Sequence, residues 1–232
     1  VITRTWQATD ACNDTATCSQ TVTVVDTTPP VLVGVLPDAT VQCDAVPVPA
    51  TVMATDNCDP APTVSFNEAR LDGNCRGNYV LKRTWTATDA CGNASSQTQT
   101  ITVQDTTPPV LAGMPGDVTV ECSAVPAAAN PTAIDNCDPA PTVSFNEARV
   151  DGNCPSIYVL KRTWTATDTC GNASSQTQTI TVQDTTPPVL AGVPGSVTVE
   201  CSAVPAPASP TAIDNCNPAP TVSFNEARLD GN

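Results

Sequence analysis

Apolar and polar residues alternate along this chain in short runs, and the runs have the period of a β-strand. Residues 117–121 read Asp-Val-Thr-Val-Glu, the two-residue period of a strand buried on one face. Residues 142–149 place Val143, Phe145 and Glu147 on one face. Residues 158–168 group Leu160, Trp164 and Ala166, with Arg162 on the same side. Residues 175–183 aim Ile180 and Val182 one way and Thr177, Thr179 and Thr181 the other. The Ala- and Pro-rich run 126–131 is expected to be extended at a sheet edge, where proline's missing donor does little harm. No window carries a helical period. Short β runs split by turn residues predict an all-β fold, an immunoglobulin-like sandwich. Glu147 and Arg162 both fall on apolar faces, so they are expected to pair across neighbouring strands, because a lone buried charge is costly. Trp6, Trp85 and Trp164 are expected to be the core aromatic of each unit.

The pattern then recurs. Asp-Thr-Thr-Pro-Pro occupies 26–30, 105–109 and 184–188, 79 positions apart each time. Arg-Thr-Trp follows the same spacing at 4–6, 83–85 and 162–164, as does Thr-Val-Ser-Phe-Asn-Glu-Ala-Arg at 63–70, 142–149 and 221–228. A fixed period means tandem units, here disulfide-stapled sandwich repeats of 79 residues. Paired prolines hold φ near −65° and remove two backbone donors, so 26–30 and its copies read as short, stiff joints. The expected organisation is 1–26 as the last two strands of a repeat, 27–105 and 106–184 as complete repeats, and 185–232 as the opening part of another. Asn232 corresponds to Asn153 and Asn74, and Val1 to Val80 and Val159. The chain therefore reads as a window of about three periods, cut out of phase. It is expected to be a segment of a longer array, or a subunit whose N-terminal strands complete a neighbour's C-terminal half-repeat by strand addition.

Composition explains how so small a unit holds together. Aromatic residues are 3% and prolines number 23, so each core is thin, and 12 cysteines supply the missing stability as disulfides. Disulfides place the protein outside the reducing cytosol, secreted or at the cell surface. A net charge of −14 with no histidine excludes nucleic acid as a partner and suits divalent cations or solubility. No apolar run is long enough to span a membrane. Four cysteines in a repeat allow three pairings. Long strands separate Cys137 from Cys154 and Cys154 from Cys170, which puts the members of each pair at opposite poles. The expected bonds are therefore Cys122–Cys154 and Cys137–Cys170, and likewise Cys43–Cys75 and Cys58–Cys91. Spacings of 15, 17 and 16 contain no close pair of the kind zinc sites use.

Trp-Gln-Ala-Thr-Asp-Ala-Cys at 6–12, followed by Thr-Ala-Thr-Cys-Ser-Gln-Thr-Val-Thr-Val at 15–24, resembles the closing half of a hyaline repeat (HYR). Thr-Ala-Thr-Asp-Ala-Cys-Gly-Asn at 86–93 and Ala-Ile-Asp-Asn-Cys at 133–137 are similar to that family's two Asp-containing corners. The resemblance implies an immunoglobulin-like sandwich in extracellular adhesion or matrix proteins, with adhesion or scaffolding as the role. It departs at Cys18, whose place is taken by Gln97 and Gln176 in later repeats.

The aspartates near the joints are the candidate ligand set. If the last strand of a repeat runs pole to pole, Asp105 meets Asp135 and Asp168, with Asp72 nearby. The same reasoning groups Asp26, Asp56 and Asp89, then Asp184 and Asp214 with Asp151. Such carboxylates suit Ca²⁺, whereas the competing role is turn capping by Asx hydrogen bonds. No cofactor is required, and calcium is the one candidate. Asn93-Ala-Ser, Asn172-Ala-Ser and Asn13-Asp-Thr are glycosylation sequons in turns. Without histidine, a thiol outside the disulfide scheme or a phosphate loop, the chain is not expected to be an enzyme. The function expected is structural: an extracellular stalk or fibril of repeats that self-associates end to end. The alternative is an adhesin whose repeats bind glycans or a protein, which calls for exposed aromatics.

Overall fold

A computed structural model describes residues 1–228, and it is all-β apart from one 3₁₀ turn at Cys122–Ala124. The chain divides into two compact units, Val1–Thr106 and Thr107–Asn232. The final four positions of the expected 185–232 segment lie outside the described residues.

The first unit begins with a hairpin of β1 (Ile2–Thr9) and β2 (Thr15–Val22). A sandwich follows, made of β3 (Val31–Val33), β4 (Ala39–Gln42), β5 (Met53–Thr55), β6 (Thr63–Asp72), β7 (Tyr79–Thr88) and β8 (Ala94–Gln104). One sheet runs β4-β8-β7-β6, with β4 parallel to β8 and the other pairs antiparallel. The opposing layer is the short pair β3-β5.

Alternation along β7 buries Leu81, Arg83, Trp85 and Ala87, and alternation along β8 buries Gln99, Ile101 and Val103. The apolar members form two small clusters. Trp85 and Ala87 pack with Leu32, whereas Leu81, Ile101 and Val103 pack with Val41 and Val46. Arg83 lies between Leu81 and Trp85 on the same face of β7, so a charged layer interrupts the apolar stripe. It is neutralised in place. The Arg83 guanidinium donates to Glu68 Oε2 at 2.7 Å and to the Pro47 carbonyl at 2.8 Å, while Gln99 Nε2 donates to the Pro37 carbonyl. The cross-strand pairing inferred from the sequence is thus present, and its counterpart Arg162–Glu147 closes at 2.6 Å. Each arginine is almost wholly buried and each glutamate is more than a third exposed. Burial makes the arginine depend on its partner, while solvent at the carboxylate lowers the pair's net worth.

The second unit repeats the plan. It contains β9 (Val110–Ala112), β10 (Val118–Glu121), β11 (Thr132–Ile134), β12 (Thr142–Asp151), β13 (Tyr158–Thr167) and β14 (Ala173–Gln183), then β15 (Val189–Ala191) and β16 (Thr211–Ile213). The sheet order β10-β14-β13-β12 and the pair β11-β9 match the first unit. Threonine and serine hydroxyls bond across the outer faces, as in Thr84–Thr98 and Thr163–Thr177.

Two expectations meet corrections, and the joint gains a detail. The run 126–131 forms no strand, and β11 begins only at Thr132, because prolines at 126 and 131 interrupt the donor ladder. The second proline of the joint is not a bare spacer. Pro30 and Pro109 are fully buried, and their carbonyls accept hydrogen bonds from Ser95 Oγ and Ser174 Oγ. Trp85 and Trp164 are core residues at 2% exposure, but Trp6 is 55% exposed, since no second layer of the described chain covers the β1–β2 hairpin.

Candidate functional site

The corners that follow β5 and β7 are built by aspartates whose side chains stand in for backbone partners. Asp56 Oδ1 accepts the amides of Cys58 and Asp59. Asp89 Oδ1 accepts those of Cys91 and Asn93, and its Oδ2 accepts Asn93 Nδ2. Asp59 Oδ2 takes the amide of Ala90, which ties the two corners together. The tight hairpin turn that Asp89 opens needs a left-handed residue, supplied by Gly92 at φ 90° and, in the N-terminal hairpin, by Asn13 at φ 66°. The joint arrives at the same place: Asn93 Nδ2 also donates to the Asp26 carbonyl, and Asp26 Oδ1 caps Thr28.

Asp26, Asp56 and Asp89 therefore converge, each offering a carboxylate oxygen within 4.8 Å of the others. Asp56 Oδ2 is buried and has no hydrogen-bond partner among the described residues. Desolvation pushes the Asp89 pKa upward, but hydrogen bonds from the Asn93 side chain and from the backbone of Asn93, Cys91 and Gly92 outweigh it and leave Asp89 below its ordinary value. On Cys58 the shift is upward, through desolvation first and then the charges of Asp26 and Asp56, with Cys91 and Asp89 adding to it. A depressed carboxylate pKa stabilises the fold above the ordinary value and ceases to do so as pH falls through the depressed one. Acidification from about pH 5 to below pH 4 is accordingly expected to lower the melting temperature of the chain. Asp89→Asn should flatten that response in a calorimetric pH series, and an unchanged slope would contradict the assignment.

In the second unit Asp135 caps Cys137 and Asp138, and Asp168 caps Cys170 and Asn172. Asp214 caps Cys216 and Asn217, and its Oδ2 is likewise buried without a partner among the described residues. Asp184 and Asp214 line one open groove with Pro187, Pro188 and Pro220. Asp105 is buried and packs where a Cβ on Gly77 would collide with it at 2.5 Å. Asp72 and Asp151 serve another purpose, pairing at 2.6 Å with Arg70 and Arg149. Those arginines sit over the rings of Tyr79 and Tyr158. Among the sequons, Asn13 is exposed, but the amide nitrogens of Asn93 and Asn172 donate to Asp89 and Asp168. A glycan there would displace a corner hydrogen bond. Glu121 was not singled out by sequence reasoning, yet its carboxylate accepts both the amide and the hydroxyl of Thr185 and anchors the joint. Its only sequence signal is a polar residue ending an alternating strand.

The cysteines revise the expected scheme. Cys122 bonds to Cys216, 94 positions away with Cα atoms 5.7 Å apart, and not to Cys154, which is free and exposed. Cys58 and Cys91 are also free, so that expected bond is absent. Cys43, Cys75, Cys137 and Cys170 are disulfide-bonded. The pole argument weighed only cysteines inside one repeat. The turn after β16 brings Cys216 to the pole that holds Cys122 and the 154–156 loop, where Ser156 Oγ donates to the Cys216 carbonyl at 3.0 Å. The bond thus crosses the 184–188 linker and joins one sandwich to the start of the next. Cys216 also lies beside Glu121 and Asp184, but its sulfur is consumed by the disulfide and is no thiolate ligand.

No family model matches the chain. It is 33% identical over 201 residues to hyalin of Strongylocentrotus purpuratus, a match covering 80% of this chain and 16% of that protein. It is 32% identical over 191 residues to hyalin of Lytechinus variegatus, covering 76% of this chain and 35% of that one. The chain thus spans well under half the length of these relatives. Solved structures that match include protocadherin gammaB7 domains EC3-6, at 16% identity and TM-score 0.32 over 88% of this chain and 64% of that chain. The tandem Ig repeats of Dlar match at 17% identity and TM-score 0.24 over 67% of this chain and 98% of that chain. By sequence, then, this tandem β-sandwich chain is similar over most of its length to a portion of hyalin.

Proposed function

We propose that the chain is a structural element of an extracellular stalk or fibril, in which sandwich repeats transmit tension along an array. The observation that carries this reading is the Cys122–Cys216 bond, because it holds the joint between successive sandwiches covalently. A domain that acts alone has no need of a bond to its neighbour. The disulfides favour an oxidising location, and the similarity to hyalin favours a matrix or surface role. Within this reading Asp26, Asp56 and Asp89 bind calcium, supported by the unpartnered Oδ2 of Asp56 beside two further carboxylates. The ion would offset three negative charges and stiffen the linker against the corners.

The test is negative-stain electron microscopy of native material with immunogold labelling, before and after chelation. Labelled extracellular rods with a period of roughly 35–45 Å, the length of an 11-residue strand at about 3.3 Å per residue, are expected. Chelation should make the rods limp. Label confined to the cell interior would overturn the structural reading, and rods indifferent to chelation would remove calcium from it. A second reading, an adhesin, is favoured by Phe66 and Phe145, which stack on the core tryptophans yet stay 45% and 48% exposed. Glycan-array binding abolished by Phe145→Ala would support it over the first.

A further inference from the structure

We propose that Asn93-Ala94-Ser95 is a latch on the joint at 26–30, and that N-glycosylation of Asn93 holds the latch open. Every residue concerned lies within the first unit, in the complete repeat and the joint that enters it. The proposal rests on the extracellular part of the reading above, which supplies the modifying machinery. It needs neither the array nor the calcium.

The two side chains that define the sequon are both spent on the joint. Asn93 Nδ2 donates to the Asp26 carbonyl at 3.2 Å and to Asp89 Oδ2 at 2.8 Å. Ser95 Oγ donates to the Pro30 carbonyl, and Pro30 is fully buried. Residues at the start of one strand thus hold both ends of Asp-Thr-Thr-Pro-Pro against the sandwich. Their backbone is fixed as well. The Asn93 amide donates to Asp89 Oδ1, its carbonyl accepts the Asp89 amide, and Ala94 pairs with Thr88. The second unit keeps the same clasp. Asn172 Nδ2 donates to Asp168 Oδ2, and Ser174 Oγ donates to the carbonyl of the fully buried Pro109.

A carboxamide nitrogen carries two N–H donors, and at Asn93 both are committed. Glycosylation joins Nδ2 to the anomeric carbon of a lipid-diphosphate-linked oligosaccharide; the lipid diphosphate leaves and the nitrogen gives up one proton. One donor then remains for two acceptors, and space decides which acceptor loses. Asp89 is 7% exposed and its Oδ1 already holds the amides of Cys91 and Asn93, so a sugar has no room on that side. The sugar takes the place of the Asp26 carbonyl, and the joint cannot seat. Conversely, a seated joint covers the Asn93 nitrogen and occupies the Ser95 hydroxyl that the acceptor motif requires. Glycan and docked joint exclude each other. Glycan occupancy is therefore a setting of the joint, made before folding is complete.

The test incubates the full chain with an oligosaccharyltransferase and a lipid-linked oligosaccharide, once native and once reduced and freshly diluted from urea. Peptide mass spectrometry should find Asn93 filled at least about 10-fold faster in the unfolded chain. That product is then refolded in a glutathione buffer beside bare chain taken through the same cycle. Hydroxyl-radical footprinting should show Pro30 oxidised at least about 5-fold more in the glycosylated chain, with Leu32 on β3 equally shielded in both. Equal filling of native and unfolded chains, or no filling of Asn93 in either, would overturn the latch. So would a Pro30 as shielded with the glycan as without it, or a Leu32 exposed along with it. None of these results bears on whether the chain forms rods outside the cell, which separates failure here from failure of the array reading.

Discussion

Trp164→Ala is expected to destabilise the second unit by about 3–5 kcal/mol, most of what a small domain has to lose. The indole is 2% exposed and closes a cluster whose other buried members are Leu111 and Ala166. Partial collapse of Met114 and Phe145, which pack against the ring, would put the loss toward the lower end of that range. Arg162 lies two residues away on the same face and has its charge committed to Glu147, so it cannot fill the cavity without abandoning its partner. The Ala129 carbonyl would lose its indole donor as well. Urea unfolding followed by circular dichroism measures the loss. Trp6→Ala provides the internal comparison, with an expected change within about 0.5 kcal/mol because the side chain is exposed. A loss below about 1 kcal/mol at Trp164 would show that the two small clusters do not carry the fold.

Cys122→Ser is expected to release the segment after the 184–188 linker. A bond closing 94 positions removes about 4–5 kcal/mol of chain entropy from the open state, with about 2–4 typical in practice. What it holds is weak by itself. Strands β15 and β16 have three residues each and form a two-stranded sheet, a unit that is marginal in water. Remaining ties include the Ser156 bond to the Cys216 carbonyl and the grip of Glu121 on Thr185. Amide exchange in β15 and β16 should therefore quicken by at least about 10-fold, while β12, β13 and β14 keep their protection. Equal exchange in variant and parent would mean that packing, not sulfur, fastens the joint.

Several features of this design were legible in the chain alone. The alternation along 158–168 placed Leu160, Arg162, Trp164 and Ala166 on one face, and all four are buried together. The ion pair of Glu147 with Arg162 followed from the cost of burying either alone. The Asp corners were visible because Asx capping is a local act, made within four residues of the carboxylate. The convergence of Asp26, Asp56 and Asp89 needed only the direction of the last strand.

Local pattern could not say who covers a face or which turn reaches a given thiol. Thr-Val-Ser-Phe-Asn-Glu-Ala-Arg is strand in β6 and β12, but the same eight residues at 221–228 form none. The difference is the neighbour: β7 and β13 supply a hydrogen-bonding edge and an apolar layer, and 221–228 has neither within the described residues. Trp6 and Trp164 differ for the same reason. The disulfide choice was likewise settled by an approach between repeats, since Cys154 and Cys216 both come to the pole of Cys122 and only tertiary contact decides between them. Sequence set the alternation and the caps because both act over a few residues; pairing and burial depend on what packs from far along the chain.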